Sequence, residues 1–218
     1  MHTDRSLRSR PVIGSVRQDM KADLSSVHVL VPPKRDFDFL VHAQPWEMNA
    51  CLHFMHDMSH GYVEGYRKAA EYLIEHIDRT RLEQDYLVYP VLFLYRHHLE
   101  LRLKEILGLL HDLGVRPSDA PMGHSLAKLW SEARAPLRKL GGKGDAKWFS
   151  AVDRCIKQID EIDPSSEAFR YAKRRDGSKN VSQVQYVNFI ALRETMDAIL
   201  DWLFGASSAL EDYLESMQ

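Results

Sequence analysis

Residues 89–107, YPVLFLYRHHLELRLKEIL, decide the architecture of this 218-residue chain. Leu92, Tyr95, Leu99, Leu103 and Ile106 recur at three- and four-residue steps, which at about 100° per residue places them on one side of a helix. In the same run Arg96, His97, Glu100 and Lys104 cluster along one flank of that stripe, while His98, Arg102 and Glu105 fall on the other flank or outside it. Arg96 lies nearest the buried centre. A buried guanidinium without a partner costs on the order of several kcal/mol, and Glu100, four residues on, is placed to pair with it. Two readings follow: an ion pair that locks neighbouring helices, or a polar pocket beside the core that takes a phosphate or a base.

Working outward, this helix is seeded near Asp85 and Pro90, where a missing N–H does no harm in a first turn, and Gly114 ends it. Before it, residues 45–80 carry a helical stripe of Met55, Met58, Tyr62, Tyr66, Ala69, Leu73 and Ile77. After it, PSDAPMG is a loop. HSLAKLWSEA then opens a third helix, with His124 or Ser125 as N-cap and an interruption at Pro136 and GGKG. A fourth helix is expected over 145–162, with Trp148, Val152, Ile156 and Ile159 inward and Pro164 as terminator. SSEAFRYAKRRDGSKN reads as a short helix running into a basic loop, and a last helix over 184–215 aligns Phe189, Leu192, Met196, Leu200 and Leu203. Residues 1–44 are polar, basic and Pro-broken, and SSVHVLVPPKRD within them reads as an extended arm. There is no internal repeat. The expected fold is all-α: an antiparallel bundle of about five helices over 45–218 with an irregular N-terminal arm over 1–44.

Bulk composition narrows the function classes. Twenty-nine Lys and Arg against 31 Asp and Glu give a formal charge of −2, so any nucleic-acid binding must use a local patch. Cys51 and Cys155 are isolated, which fits free thiols in a reducing cytoplasm and excludes a disulfide scaffold. No apolar run approaches the roughly 18–20 residues that cross a bilayer, and the Arg-rich first twenty residues lack the apolar core of a secretory signal. The expectation is a cytoplasmic chain without a membrane partner, in which the sequon at Asn180 stays unmodified.

Three further groups bear on chemistry. His53, His56, Asp57, His60 and Glu64, placed on one helix, would project within about 100° of one another, an imidazole and carboxylate set that can ligate a transition metal. That stripe lies opposite the apolar one, and no HExxH or ExxH signal supplies a ligand from a second helix, so a solvated face is the competing reading. The run RYAKRRDGSK packs Arg170, Lys173, Arg174, Arg175 and Lys179 together, a loop that could neutralise several phosphates or simply be solvated. GGKGD lacks the Lys-Ser or Lys-Thr ending of a phosphate-cradling loop and reads as a turn, and no nucleophile elbow is present.

The order of HHLELRLKEILGLLHDLG, GHSLAKLW and FRYAKRRDG across residues 82–205 resembles the HEPN (higher eukaryotes and prokaryotes nucleotide-binding) helical domains. The three pieces look like that family's Glu- and Lys-bearing second helix, its His-x-Leu-x-x-Leu helix opening, and its Arg-Tyr segment before the final helix. The resemblance implies a helical bundle, dimerisation through helix faces, and work on RNA or nucleotides, often in toxin–antitoxin or phage-defence settings with a protein partner encoded nearby. Family ribonucleases pair an Arg with a His four to six residues later near the dimer seam. Here Arg170 has no such His, none follows His124 anywhere, and the one pair with that spacing, Arg35 and His42, precedes the bundle. Standard ribonuclease activity is therefore not carried over. Arg170, Glu100, Lys104 and His124 match the family's polar positions, and Arg96 and Arg174 complete the expected ligand-binding set. The competing readings are a metal-independent ribonuclease using His97 or His98 as base with Arg96 and Arg170 stabilising phosphate charge, a metal-binding bundle using His53, His56, Asp57 and His60, and a homodimerisation module built on Tyr62, Tyr66 and Trp202. No cofactor is expected.

Overall fold

The computed structural model describes residues 39–115, 123–142, 145–174, 176–181 and 184–217. The expected extended arm before residue 39, Arg35 of the Arg35–His42 pair, and Arg175 lie outside the described residues. The chain divides between residues 51 and 52 into two units. In the first, a single 3₁₀ turn at Trp46–Met48 is held by Asn49, whose Oδ1 accepts from the Ala43 N–H (2.9 Å) and whose Nδ2 donates to the Ala43 and Trp46 carbonyls (2.6 and 2.8 Å).

The second unit is an all-α bundle of five helices: α1 Ser59–Thr80, α2 Gln84–Asp112, α3 Leu126–Leu140, α4 Ala146–Ile162 and α5 Phe189–Ser216. Among the described residues there is no strand, only an isolated antiparallel bridge between Lys173 and Lys179. Helices α1 and α2 pack against each other across a three-residue connection, which makes them an antiparallel pair. That connection places two non-glycine residues, Arg81 (φ 57°) and Glu83 (φ 65°), in the left-handed region, with the Arg81 N–H closing α1 on the Ile77 carbonyl. Helix α2 also packs on α3 and α5, and α4 closes against α3 and α5. From Val91 to Leu110 no residue of α2 is exposed. It is the central helix, so its polar residues are inside the protein rather than along a wet edge.

Several expected boundaries move, each for a local reason. Residues 49–58 are not helical; Asp57 Oδ1 accepts the Ser59 N–H (2.8 Å) and α1 begins there. The buried stripe of α1 is Val63, Ala70, Ile74 and Ile77, about one residue round from the expected one, and Tyr62 is exposed. The helix-period pattern is the same for both stripes; packing against α2 decides which of them is buried. Helix α3 runs through Pro136 to Leu140, because Leu137 beyond the proline is buried in the core and holds the last turn. Ser125 caps α3, its Oγ accepting the Lys128 N–H. In α4 Phe149 and Cys155 join Val152 and Ile156 in the core, while Trp148 is half-buried and stacks on Trp202 (6.4 Å between centroids, 12° between planes). Residues 184–188 are not helical, and α5 starts where Asn188 Oδ1 accepts the Ala191 N–H (2.9 Å).

The expected short helix at 165–174 is a chain of turns. Asp163 ends α4 and its Oδ1 accepts the N–H groups of Glu167 (2.7 Å) and Ala168 (2.9 Å), an arrangement that turns the chain instead of continuing the helix. Ser166 takes φ 64° within it. The chain then forms a tight hairpin, with Arg174 N–H donating to Ser178 O (2.8 Å), Gly177 at φ 86°, and Asn180 Nδ2 donating to Tyr171 O (2.6 Å).

Candidate functional site

The site is built on α2 outward from Arg96, which is fully buried. Each nitrogen of its guanidinium has an acceptor: Nη1 donates to Glu100 Oε2 (2.9 Å), Nη2 to the His124 carbonyl (2.7 Å), and Nε to the Asp163 carbonyl (3.2 Å). Asp163 Oδ2 lies 3.2 Å from the same Nε, close enough for charge attraction but too poorly aligned for a hydrogen bond. One side chain thus ties α2 to the start of α3 and the end of α4. Buried Glu100 completes the cluster, its Oε1 accepting from Lys104 Nζ and His124 Nδ1, both at 2.7 Å. A carboxylate only accepts, so His124 carries its proton on Nδ1. Burial pushes the Glu100 carboxyl up, but the hydrogen bonds from Lys104, His124 and Arg96 outweigh it and hold the group below its ordinary range.

Around this anchor the structure sorts the expected site residues into three groups. Arg96 and Glu100 are sealed inside. His98 is also sealed, fully buried on the α1 side, with Nδ1 donating to the Val63 carbonyl (2.7 Å). Burial depresses its pKa to about 4, so it is a neutral structural imidazole and not a flank residue open to substrate. Lys104, His124, His97, Arg170 and Arg174 remain at or near the surface. Arg102, expected outside the stripe, is buried too; Nη2 donates to Glu64 Oε1 (2.7 Å) and Nη1 to Glu105 Oε2 (2.5 Å) and Ser207 Oγ (3.2 Å).

Arg170 and His97 meet across Phe93. The His97 ring stacks on Phe93 (5.7 Å, 10°) and stands edge-on to Tyr66 (4.4 Å, 81°), while the Arg170 guanidinium lies 5.9 Å from the Phe93 centroid and 5.5 Å from that of Tyr171. Arg170 Nε donates to Ser166 O (2.6 Å), which fixes the fork. Among the described residues no carboxylate pairs with Arg170, Lys173 or Lys179. His97 is held below its ordinary pKa, mainly by burial, with Arg96, Lys104 and Arg170 acting in the same direction against Glu100. Beside Arg170 opens a groove of about 560 Å³ whose walls include Tyr89, Phe169, Tyr171, Lys173 and Lys179. Arg174 turns back to Asn180 Oδ1 (3.3 Å) and does not line it.

The expected metal set does not share a helix face. His53, His56 and Asp57 precede α1, only His60 and Glu64 are within it, and Glu64 is engaged by Arg102. Among the described residues no three His, Cys, Asp or Glu side chains are grouped to hold a metal ion. Of the three aromatics expected on a dimer face, Tyr62 is exposed, Tyr66 packs on His97, and Trp202 is folded into a cluster with Trp130, Trp148 and Phe149. No helix is long and apolar enough to cross a membrane among the described residues.

Sequence reasoning missed Asp163, Tyr89 and Phe169. The signal for Asp163 was its place before Pro164, which marks a helix end, but nothing local pointed to Arg96, 67 residues away. Comparison of the chain with family models, with curated proteins and with solved structures gives no match. The HEPN-like resemblance therefore stands on the residues alone.

Proposed function

We propose that this chain binds RNA or a nucleotide through the groove beside Arg170, in the manner its HEPN-like motifs imply. The observation that carries this reading is the pairing of an unneutralised, stacked guanidinium with an aromatic-walled groove. Tyr89 and Tyr171 offer exposed faces on which a base stacks, with buried Phe169 behind them, and Arg170, Lys173 and Lys179 offer charges for a phosphate. Base stacking and phosphate contact need these two elements together, and a solvated charge run would not need the aromatic wall. Lys104 and His124 add polar groups on the neighbouring anchor. Arg96, Glu100 and Asp163 support the site from beneath and do not touch the ligand.

The test is binding of a fluorescein-labelled single-stranded oligo(U) 12-mer by anisotropy at low salt. Arg170→Ala should weaken binding about ten-fold, whereas Arg81→Ala, an exposed cation on the α1–α2 connection, should leave it unchanged. Absence of binding by the wild-type chain to both oligo(U) and UMP would end the proposal.

A ribonuclease reading is favoured by His97. A half-buried imidazole kept neutral near pH 7, with Arg170 across Phe93, has the protonation state of a general base and a cation placed for phosphate charge. Cleavage of RNA in excess EDTA, lost in His97→Ala and kept in Lys128→Ala, would select it over binding alone.

A further inference from the structure

A second cavity, of about 660 Å³, opens between the end of α3, the start of α4 and the C-terminal half of α5. Its walls include Phe149, Trp202 and Tyr213, and its polar lining includes the carboxylates of Asp145 and Asp201; among the described residues no Lys, Arg or His lines it. Asp145 Oδ2 accepts the Gly142 N–H (2.9 Å), and Asp201 Oδ1 pairs with Arg67 Nη2 (2.8 Å), so that among the described residues each carboxylate keeps a second oxygen. The floor on α5 is Gly205 and Ala209. A helix-interior glycine costs about 1 kcal/mol relative to alanine. At Gly205 nothing would obstruct a side chain, since no other group lies within 4 Å of where its Cβ would stand. Among the described residues no packing contact requires a glycine there, and its missing side chain leaves the α5 wall of the cavity bare.

We infer that this cavity binds a small organic cation with an apolar body, such as an aryl- or alkylammonium compound. The volume suits a drug-sized molecule, the aromatic faces attract a cation, and the carboxylates complement its charge. The same aromatic cluster already holds cations of the chain itself on other faces: the Arg134 guanidinium lies 5.9 Å from the Phe149 centroid, and Lys147 Nζ lies 5.8 Å from that of Trp148. Among the described residues, an anion would meet the Asp145 carboxylate and the Asp201 carboxylate already paired with Arg67, and no Lys, Arg or His in the lining itself. The site is separate from the Arg170 groove in lining and opposite in charge.

The experiment is titration of the full chain with benzyltrimethylammonium, and separately with phenylacetate, followed by calorimetry and tryptophan fluorescence. Saturable binding of the cation, with phenylacetate at least about ten-fold weaker, is the expected result. Gly205→Leu fills the cavity from α5 and should weaken the cation about ten-fold with an unchanged helical circular dichroism spectrum; Asp201→Asn should weaken it about three-fold. If Gly205→Leu does not fold, Ala209→Leu occupies the same floor and replaces it. Equal affinity for phenylacetate, no saturable cation binding, or unchanged affinity in the filled variant would overturn the inference.

Discussion

Arg96 and Asp163 meet in the interior, 67 residues apart in the chain, through an Nε–H donated to a main-chain carbonyl at 3.2 Å with neither side chain exposed. The contact joins the middle of α2 to the residue whose carboxylate turns the chain away from α4. The basic hairpin bearing Arg170 therefore starts from a point fixed by the core, and a change at Arg96 reaches the proposed groove without touching it.

Arg96→Met removes the donors for Glu100 and for the Asp163 and His124 carbonyls together, leaving the buried Asp163 carboxylate without its cation and Glu100 with Lys104 and His124 alone. The expected loss is about 3–5 kcal/mol in urea unfolding. Arg96→Lys should recover less than half of this, because one ammonium does not span three acceptors arranged around a planar fork. Double substitution of Arg96→Met with Glu100→Leu should be less destabilising than Arg96→Met alone, which identifies the unpaired charge as the cause.

Acid should expose the buried histidine. His98 has a folded pKa of about 4, below the ordinary 6.5, so the folded state resists its protonation while the unfolded chain accepts it. Its contribution is complete above pH 6.5 and is lost as pH falls toward 4, by an amount on the order of 3 kcal/mol. Unfolding free energies measured every half unit across that window should fall with pH, and His98→Leu should flatten the slope. Glu100, with its carboxyl held below the ordinary range, adds a further loss that begins only below about pH 4.5, and Glu100→Gln should remove that lower segment alone.

The two thiols should separate cleanly. Cys51 is exposed, whereas Cys155 is buried beside Met196 (3.9 Å between sulfurs) and burial pushes its pKa up to about 11. Ellman's reagent at pH 8 should titrate one thiol in the native chain and two in guanidinium, with the Cys51→Ser protein unreactive until it unfolds.

Salt dependence should divide the groove residues by role. If Lys173 and Arg170 contact phosphate, replacing either with Ala should lower the slope of log Kobs against log salt by about 0.7 for a single-stranded ligand. Tyr171→Ala should cost about 1–3 kcal/mol of affinity with the slope unchanged, since stacking releases no counterion. Equal slopes in all variants would remove the phosphate contacts from the proposal.

The sequence by itself determined the helical class, the extent of α2 and its end at Gly114, the pairing of Arg96 with Glu100, and a cap on α3 at His124 or Ser125. These follow from chain-local geometry: a period of 3.6 residues, an i to i+4 reach, and the conformational demands of a helix end. Tertiary structure decided the rest. Periodicity says which residues share a face but not how many neighbours cover a helix, so the sequence placed His98 and Arg102 outside a stripe while α1, α3 and α5 together bury α2 on every side. The same limit set the α1 stripe one residue off and carried α3 through Pro136. Asp163 became the pivot of the site, and Phe93 the meeting point of His97 and Arg170, only because folding brought distant segments into contact, and no local pattern encodes which distant partner a buried charge will find.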